Sequence, residues 1–377
     1  MAVAQAGEVV RGFSRGLRPV AKALPGHGRA HNRSLLMQTL FRDGSMSRAD
    51  LSRRTALTRV TVSDLVAELI ADGLLIERGL QGNPGPGKPA TLVDLNHAGH
   101  CTVGLDLSGS DTLRGAVLGL DGDVLIRHHL PVPADPAAIV GSAISFAREL
   151  VARAPAPVLG VGVGSPGVID DRGVVHTTAN FGWTVVDLRG ILSAAVDVPV
   201  WVVNDADAAI RAEYAFGDGH DDLLLVRVGR GIGSALLSGG LGLRGRGFAA
   251  GEIGHVTVGT DGGPMCGCGR VGCLEAWVSV PALTGHPPED RDRILRDAGV
   301  RLGIALAPVV GMLDLSEVVL SGPHDLLSGE LRRATADTLR ERTLLSDRLR
   351  VRVSAQGEDI VLRGAAMMVL SERLGVS

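Results

Sequence analysis

At 377 residues and 45% hydrophobic content, the chain is long enough for two or three cored domains of roughly 100–200 residues each. Its four cysteines are too few and too crowded for a secreted disulfide framework, and its longest uncharged apolar run, Leu302 to Leu313, falls well short of the ~20 residues a membrane helix needs, so a reducing, cytoplasmic setting without a membrane partner is expected. The net charge of −3 hides a division: residues 1–96 carry 13 Lys and Arg against 8 Asp and Glu, net +5, and residues 97–377 carry 25 against 33, net −8, as a nucleic-acid module joined to a small-molecule module would show.

Residues 1–30 read as a flexible basic arm, because Arg11, Arg15 and Arg18 interrupt any apolar core of a signal peptide. From His31 the apolar spacing Leu35, Leu36, Leu40, Phe41 predicts a helix stopped at Asp43-Gly44. Ser47-Arg-Ala-Asp50 has the spacing of an N-cap with an acid three residues on. A third helix carries the stripe Val62, Leu65, Val66, Leu69, Ile70 and ends at Asp72-Gly73. Two short helices joined by a tight turn are a helix-turn-helix. Thr58, Arg59, Thr61 and Ser63 are left facing outward near the start of the third helix, the residue types that reach base edges and phosphates in a major groove. Leu74 to Arg78, a proline- and glycine-rich loop with Lys88 at its tip, and Ala90 to Leu95 then read as strand, loop and strand, a wing. Residues 31–96 are thus expected to form a winged helix-turn-helix. Aromatics are only 3% of the chain, which disfavours a stacking platform for single strands and favours duplex DNA.

Beyond Asn96 one pattern is stated twice. Cys101–Asp106, a glycine turn and a strand from Thr112 are echoed by Asp222–Val228, the turn Gly229-Arg-Gly231-Ile-Gly233 and a strand from Ser234, with helices expected over Pro136–Ala152 and Ala282–Val309. Each half is a β-hairpin-plus-helix unit with a phosphate-sized loop. The fold class expected is α/β: a winged head followed, over 97–377, by a duplicated two-lobed domain of the actin/hexokinase (ribonuclease H-like) kind. Three of the four cysteines, Cys266, Cys268 and Cys273, crowd into MCGCGRVGCLE. By spacing alone they are either free thiols or three ligands of a zinc ion.

GRGIG, Gly251-Glu-Ile-Gly-His255 and CGCGRVGCLE together resemble the signature of the ROK family, which contains sugar kinases and winged-helix transcriptional repressors. The resemblance runs from about His31 to the C-terminus. It implies that His255 joins Cys266, Cys268 and Cys273 in a closed, structural zinc set, one ion per chain. It also implies a sugar pocket formed by Asn180, Asn204, Asp205, Glu252, His255 and Glu275, with Asp205 the general base if the protein is a kinase. Taken singly, Asn180 could instead cap a turn and Asp205 a helix. The first phosphate loop departs from the family's kinase pattern: Ser108 stands where a glycine is usual, and Asp111 adds a negative charge beside the anion site. The expected protein is therefore not an enzyme. It is a sugar-controlled transcriptional regulator of carbohydrate-metabolism genes, a repressor in its simplest form, binding an operator as a homodimer or dimer of dimers. The alternatives are a ROK-type sugar kinase with an added DNA-binding domain, and a regulator that answers to a protein partner.

Overall fold

The computed structural model describes residues 28–80, 90–109, 111–178, 181–259, 262–344 and 348–376. Lys88 and Asn180 lie outside these residues, as does the expected arm up to residue 27. The last three residues assigned to the arm are helical, because α1 spans Gly28–Asp43. Arg29 and Arg33 are drawn into it by Glu68, to which they pair at 2.6 and 2.7 Å, a tertiary contact that local spacing does not announce.

The head continues with β1 (Met46–Ser47), α2 (Arg48–Thr55), α3 (Arg59–Ala71), β2 (Leu75–Leu80) and β3 (Thr91–Leu95), the strands ordered β1-β3-β2. Each short helix begins on a hydroxyl cap: Ser47 Oγ accepts from the Asp50 amide and Thr58 Oγ1 from the Thr61 amide, both at 3.2 Å. Leu36, Met37, Leu40, Leu51, Val62, Leu65, Val66 and Leu69 form the head's core. That core does not stop at residue 96. Leu120, Leu159, Met367, Leu370 and Leu374 belong to the same cluster, so head and body share buried apolar surface.

In the body, β4 (Cys101–Asp106), β5 (Thr112–Gly119), β6 (Val124–Pro131), α4 (Ala138–Arg153), β7 (Val158–Ser165), β8 (Val168–Ile169), β9 (Val175–Thr177), β10 (Thr184–Val186), α5 (Leu188–Ser193), β11 (Val200–Asn204) and α6 (Asp205–Phe216) come first. Then follow β12 (Leu223–Val228), β13 (Ile232–Ser238), β14 (Leu241–Gly242), α7 (Glu275–Val278), α8 (Val280–Leu283), α9 (Arg291–Leu313), β15 (Glu317–Ser321), α10 (His324–Leu326), α11 (Arg332–Arg342), β16 (Arg350–Val353) and α12 (Ile360–Leu374). The two large sheets run β11-β7-β4-β5-β6 and β14-β13-β12-β15-β16. In each, three consecutive strands are antiparallel and two further strands are added in parallel, so the repeat in the sequence is a repeat in topology. The helix expected over Ala282–Val309 begins only at Arg291. Pro287 and Pro288 cannot donate the backbone hydrogen bonds a continuous helix would need.

Residues of α4 and α5 pack in the first lobe's cluster and residues of α9 and α11 in the second's. Helices α6 and α12 lie against each other, and α6 also packs on β12 and β13 of the second sheet. The contact between them is backbone to backbone: a Cβ on Gly364 would stand 1.7 Å from the Ala208 carbonyl oxygen, so only glycine fits. The chain's last helix thus returns to the first lobe, against β4 and β7.

Candidate effector cleft and metal centre

Two chain segments bring acidic groups together where the two lobes meet, the candidate cleft. The first is the β11–α6 junction. Asn204, rather than Asp205, is the N-cap: its Oδ1 accepts from the Ala206 and Asp207 amides at 2.8 and 3.2 Å, and its Nδ2 donates to the Gly167 carbonyl at 3.0 Å. What Asn204 gives the cleft is therefore the position of Asp205, the first residue of the helix. The second segment is Gly251–His255. Gly251 has φ +94 and lies so close to β13 that a Cβ would meet the Ser234 carbonyl oxygen at 2.0 Å, which fixes the backbone on which Glu252 stands.

The carboxylates feel burial and one another. Burial raises Asp205, the Arg227 guanidinium pulls it back, and Asp106 raises it again. Asp207 is pushed up to about 6 by burial against the pull of Arg244 and Arg211. Glu252 is pushed up to about 7 by burial and then by Asp205, Glu275 and Asp207. Such a set of acids, crowded and partly desolvated, is what a ligand rich in hydrogen-bond donors would satisfy. Because Glu252 titrates higher in the folded chain than its usual 4.5, the folded state binds more protons between about pH 4.5 and about 7, and stability falls as pH rises through that window. Glu252→Gln removes this penalty. The variant is expected to melt higher than the parent at pH 8, with the difference vanishing near pH 4; thermal melts across pH check this.

The four residues of the expected zinc set come together. One ligand atom from each of His255, Cys266, Cys268 and Cys273 lies within 4.8 Å of all the others. Cys268 Sγ and Cys273 Sγ are 3.7 Å apart, and Cys266 Sγ is 3.7 Å from His255 Nδ1. Zn–S and Zn–N bonds of about 2.3 and 2.0 Å in a tetrahedron give S–S and S–N edges of about 3.8 and 3.5 Å, so the donor set fits a tetrahedral metal in chemistry and in span. Burial pushes the Cys266 thiol up to about 12, whereas the Arg270 amide lowers the exposed Cys268. A divalent cation would favour the thiolates that burial opposes. Glu275 is tied to this loop and to the sheet at once: its Oε2 accepts from the Ile232 amide at 3.0 Å and its Oε1 lies 3.5 Å from Cys266 Sγ.

In the head, Thr58, Arg59 and Ser63 are exposed and Thr61 is half-buried. The Thr58 and Thr61 hydroxyls face each other at 2.8 Å, so part of their bonding capacity serves the helix start. Val60 between them is 71% exposed; the outward-facing set read from the sequence omits it. Three further residues that sequence reasoning missed are Arg227, Arg244 and Asp207. Arg244 holds Asp171 and the Ile169 carbonyl at 2.6 Å each and Asp207 at 3.4 Å.

The head is joined to the cleft by α6. Its first turn carries Asp205 and Asp207; its last turn meets α1, where Arg42 Nη2 donates to the Tyr214 hydroxyl at 2.9 Å and the Phe41 and Phe216 rings stand 5.9 Å apart, edge to face.

Compared with known proteins, the chain is 27% identical over 387 residues to a xylose repressor of Caldicellulosiruptor bescii, covering 91% of this chain and 96% of that one. A glucokinase of Streptomyces coelicolor is 34% identical over 206 residues, 54% of this chain and 64% of the enzyme. Among solved structures, a ROK family transcriptional regulator homologous to the E. coli MLC protein superposes with a TM-score of 0.77 at 23% identity, over 91% of this chain and 96% of that one. The ROK family model matches residues 102–294, more than half of the chain, and with the repeated lobes and the clustered His255, Cys266, Cys268 and Cys273 it places the chain in the ROK family.

Proposed function

We propose that the chain is a sugar-responsive transcriptional repressor: a winged helix-turn-helix head reads duplex DNA, and a sugar or sugar derivative in the cleft releases it. The observation that carries this reading is the continuity of α6, which bears cleft carboxylates at one end and the contact with the head at the other. In this reading α3 is the recognition helix, with Arg59 and Ser63 reaching the groove, Val60 in contact with a thymine methyl, and Lys88 on the wing touching backbone. Asp205, Glu252 and His255 receive sugar hydroxyls, with Asn180, Asn204 and Glu275 shaping the same pocket. Zinc on His255, Cys266, Cys268 and Cys273 is structural: four protein ligands leave no position for a reacting water. One ring nitrogen of His255 on the metal fixes the other as a donor toward the sugar. A single head covers one half-site, so a homodimer or dimer of dimers works in the cytoplasm on an operator with two.

The likeness to glucokinases supports a second reading, an ATP-dependent sugar kinase. Against it stands Asp205, whose Oδ2 accepts from Arg227 Nε at 2.8 Å and so is not poised as a free base. Sugar-dependent ATP consumption that Asp205→Asn abolishes would establish the kinase. The repressor reading predicts none. It predicts instead that Arg59→Ala weakens binding to a duplex selected by the protein from random sequence by about tenfold or more, the loss of a contact worth ~1–3 kcal/mol, and that binding falls steeply with salt. Unchanged DNA affinity in that variant would remove α3 as the recognition helix.

A further inference from the structure

Arg227 sits on β12 of the second lobe, yet its guanidinium reaches across to the first lobe and the β11–α6 junction. Nε donates to Asp205 Oδ2 at 2.8 Å, and Nη2 donates to Ser108 Oγ at 2.5 Å and stands 3.7 Å from Asp106 Oδ2. Its side chain is only 14% exposed, and Asp106 is fully buried. The first glycine turn is filled from within as well: Asp106 Oδ1 accepts from the Ser108 amide at 2.8 Å and from the Ser108 hydroxyl. With the Ser108 amide already given to its own carboxylate and a guanidinium laid over the hydroxyl, the described part of this turn offers an incoming phosphate one amide fewer and a cation that is already paired. The two carboxylates outweigh the burial of Arg227 and hold its pKa above the usual arginine value, so the cation is permanent.

Two lobes that face each other across a cleft need something to hold them together. In a nucleotide-dependent protein, contacts from both lobes to the phosphates can do this. Here side chains of the second lobe span the gap: Arg227 to Asp205 and Ser108, and Arg244 to Asp171 and the Ile169 carbonyl. We propose that Arg227 is a built-in tie between the lobes that takes the place a phosphoryl donor would occupy, so that the cleft closes on its sugar without nucleotide. This rests on the reading of the cleft as the effector site. Its second consequence concerns Asp205. With one carboxylate oxygen fixed by Arg227, the Asp205 carboxylate is held in place as an acceptor for a sugar hydroxyl. Arg227 is thus a positioning residue: it acts on the sugar through Asp205 and through the distance between the lobes.

The tie makes claims about the free protein, which small-angle scattering can read without any ligand. Arg227→Gln, which keeps donors but removes the charge and the fork, is expected to scatter as a more open particle, with a larger radius of gyration than the parent. Arg227→Lys, which keeps the charge on one nitrogen but loses the planar fork, should fall between them. Because Arg227→Gln leaves the buried Asp106 with only Arg114, 3.8 Å away, Asp106→Asn/Arg227→Gln is the companion variant; it is expected to fold and to be open as well. In the parent, MgATP should give no thermal shift and should leave the affinity for xylose, glucose or N-acetylmannosamine, whichever binds, within about twofold. Arg227→Gln should weaken that sugar by tenfold or more. A double variant as closed as the parent, or a parent whose sugar affinity rises severalfold with MgATP, would overturn the tie. A lower melting temperature with unchanged scattering and unchanged sugar affinity would reduce Arg227 to packing and overturn it equally. If Glu252→Gln abolishes sugar binding and Arg227→Gln does not, the tie alone fails; if neither variant nor Asp205→Asn alters sugar binding, the cleft is not the effector site.

Discussion

Cys268→Ser is expected to lose the metal and the sugar response together while leaving a head that still binds DNA. The loop it interrupts does two things. It gathers one ligand atom each from His255, Cys266, Cys268 and Cys273 into a span of 4.8 Å, and it anchors Glu275, which holds the Ile232 amide at the start of β13. A serine hydroxyl is a poor substitute for a thiolate on zinc, and structural zinc sites in small peptides contribute on the order of 10–16 kcal/mol, so metal content should drop from one per chain to near zero. His255 then loses the partner that fixes its ring, and the 251–275 segment loses the brace that sets Glu252 against β13. Metal analysis, a sugar titration and an operator-binding assay on one preparation check the three parts. A variant without metal that still answers to sugar would show that the loop does not brace the sugar site.

The second large effect is expected at the far end of α6. Arg42→Ala/Phe216→Ala removes the hydrogen bond from Arg42 to Tyr214 and the edge-to-face contact of Phe41 with Phe216, both far along the helix from Asp205. Sugar binding to the cleft and DNA binding to the head, each measured alone, should stay within a factor of about three. The effect of one on the other should shrink. Coupling between sites is typically worth about 5–150-fold, and in this variant the sugar should change DNA affinity by about twofold or less. A sugar can shift DNA affinity only by favouring one arrangement over another, and α6 is the element that is present in both. If the double variant still releases DNA fully on adding sugar, the signal passes instead through the core that Met367, Leu370 and Leu374 of α12 share with the head.

Much of this was legible in the amino-acid sequence because the informative residues are close together in it. The caps at Ser47 and Thr58 lie three residues from their partners, the turn-flanked strands repeat in order, and three of the four clustered metal-type ligands fall within eight residues, Cys266 to Cys273. The features that escaped are those whose partners are remote. In Leu-Leu-Leu-Val-Arg-Val, Arg227 looks like the one solvated position of a strand; its partner Ser108 is 119 residues away. The raised proton affinity of Glu252 depends on burial and then on Asp205, Glu275 and Asp207, which come from separate segments except for the two at the start of α6. Helix α12 carries apolar residues all round, as its burial against β4, β7 and α6 requires, and nothing local says that it returns to the first lobe. Asn204 and Asp205 are adjacent and both can cap; only the backbone geometry shows which of them does. The late start of α9 was written in Pro287-Pro288 and outweighed by the apolar spacing that follows.

The central claim is that one chain couples a sugar cleft to a DNA-reading head, and linkage makes that claim quantitative. The affinity of the protein for a selected duplex is measured by fluorescence anisotropy at fixed salt with increasing sugar, and the affinity for the same sugar is measured with and without saturating duplex. Linkage requires the two shifts to be equal, and the repressor reading makes each a weakening by about 5–150-fold. A sugar that binds the cleft with the same affinity whether or not DNA is present would contradict it.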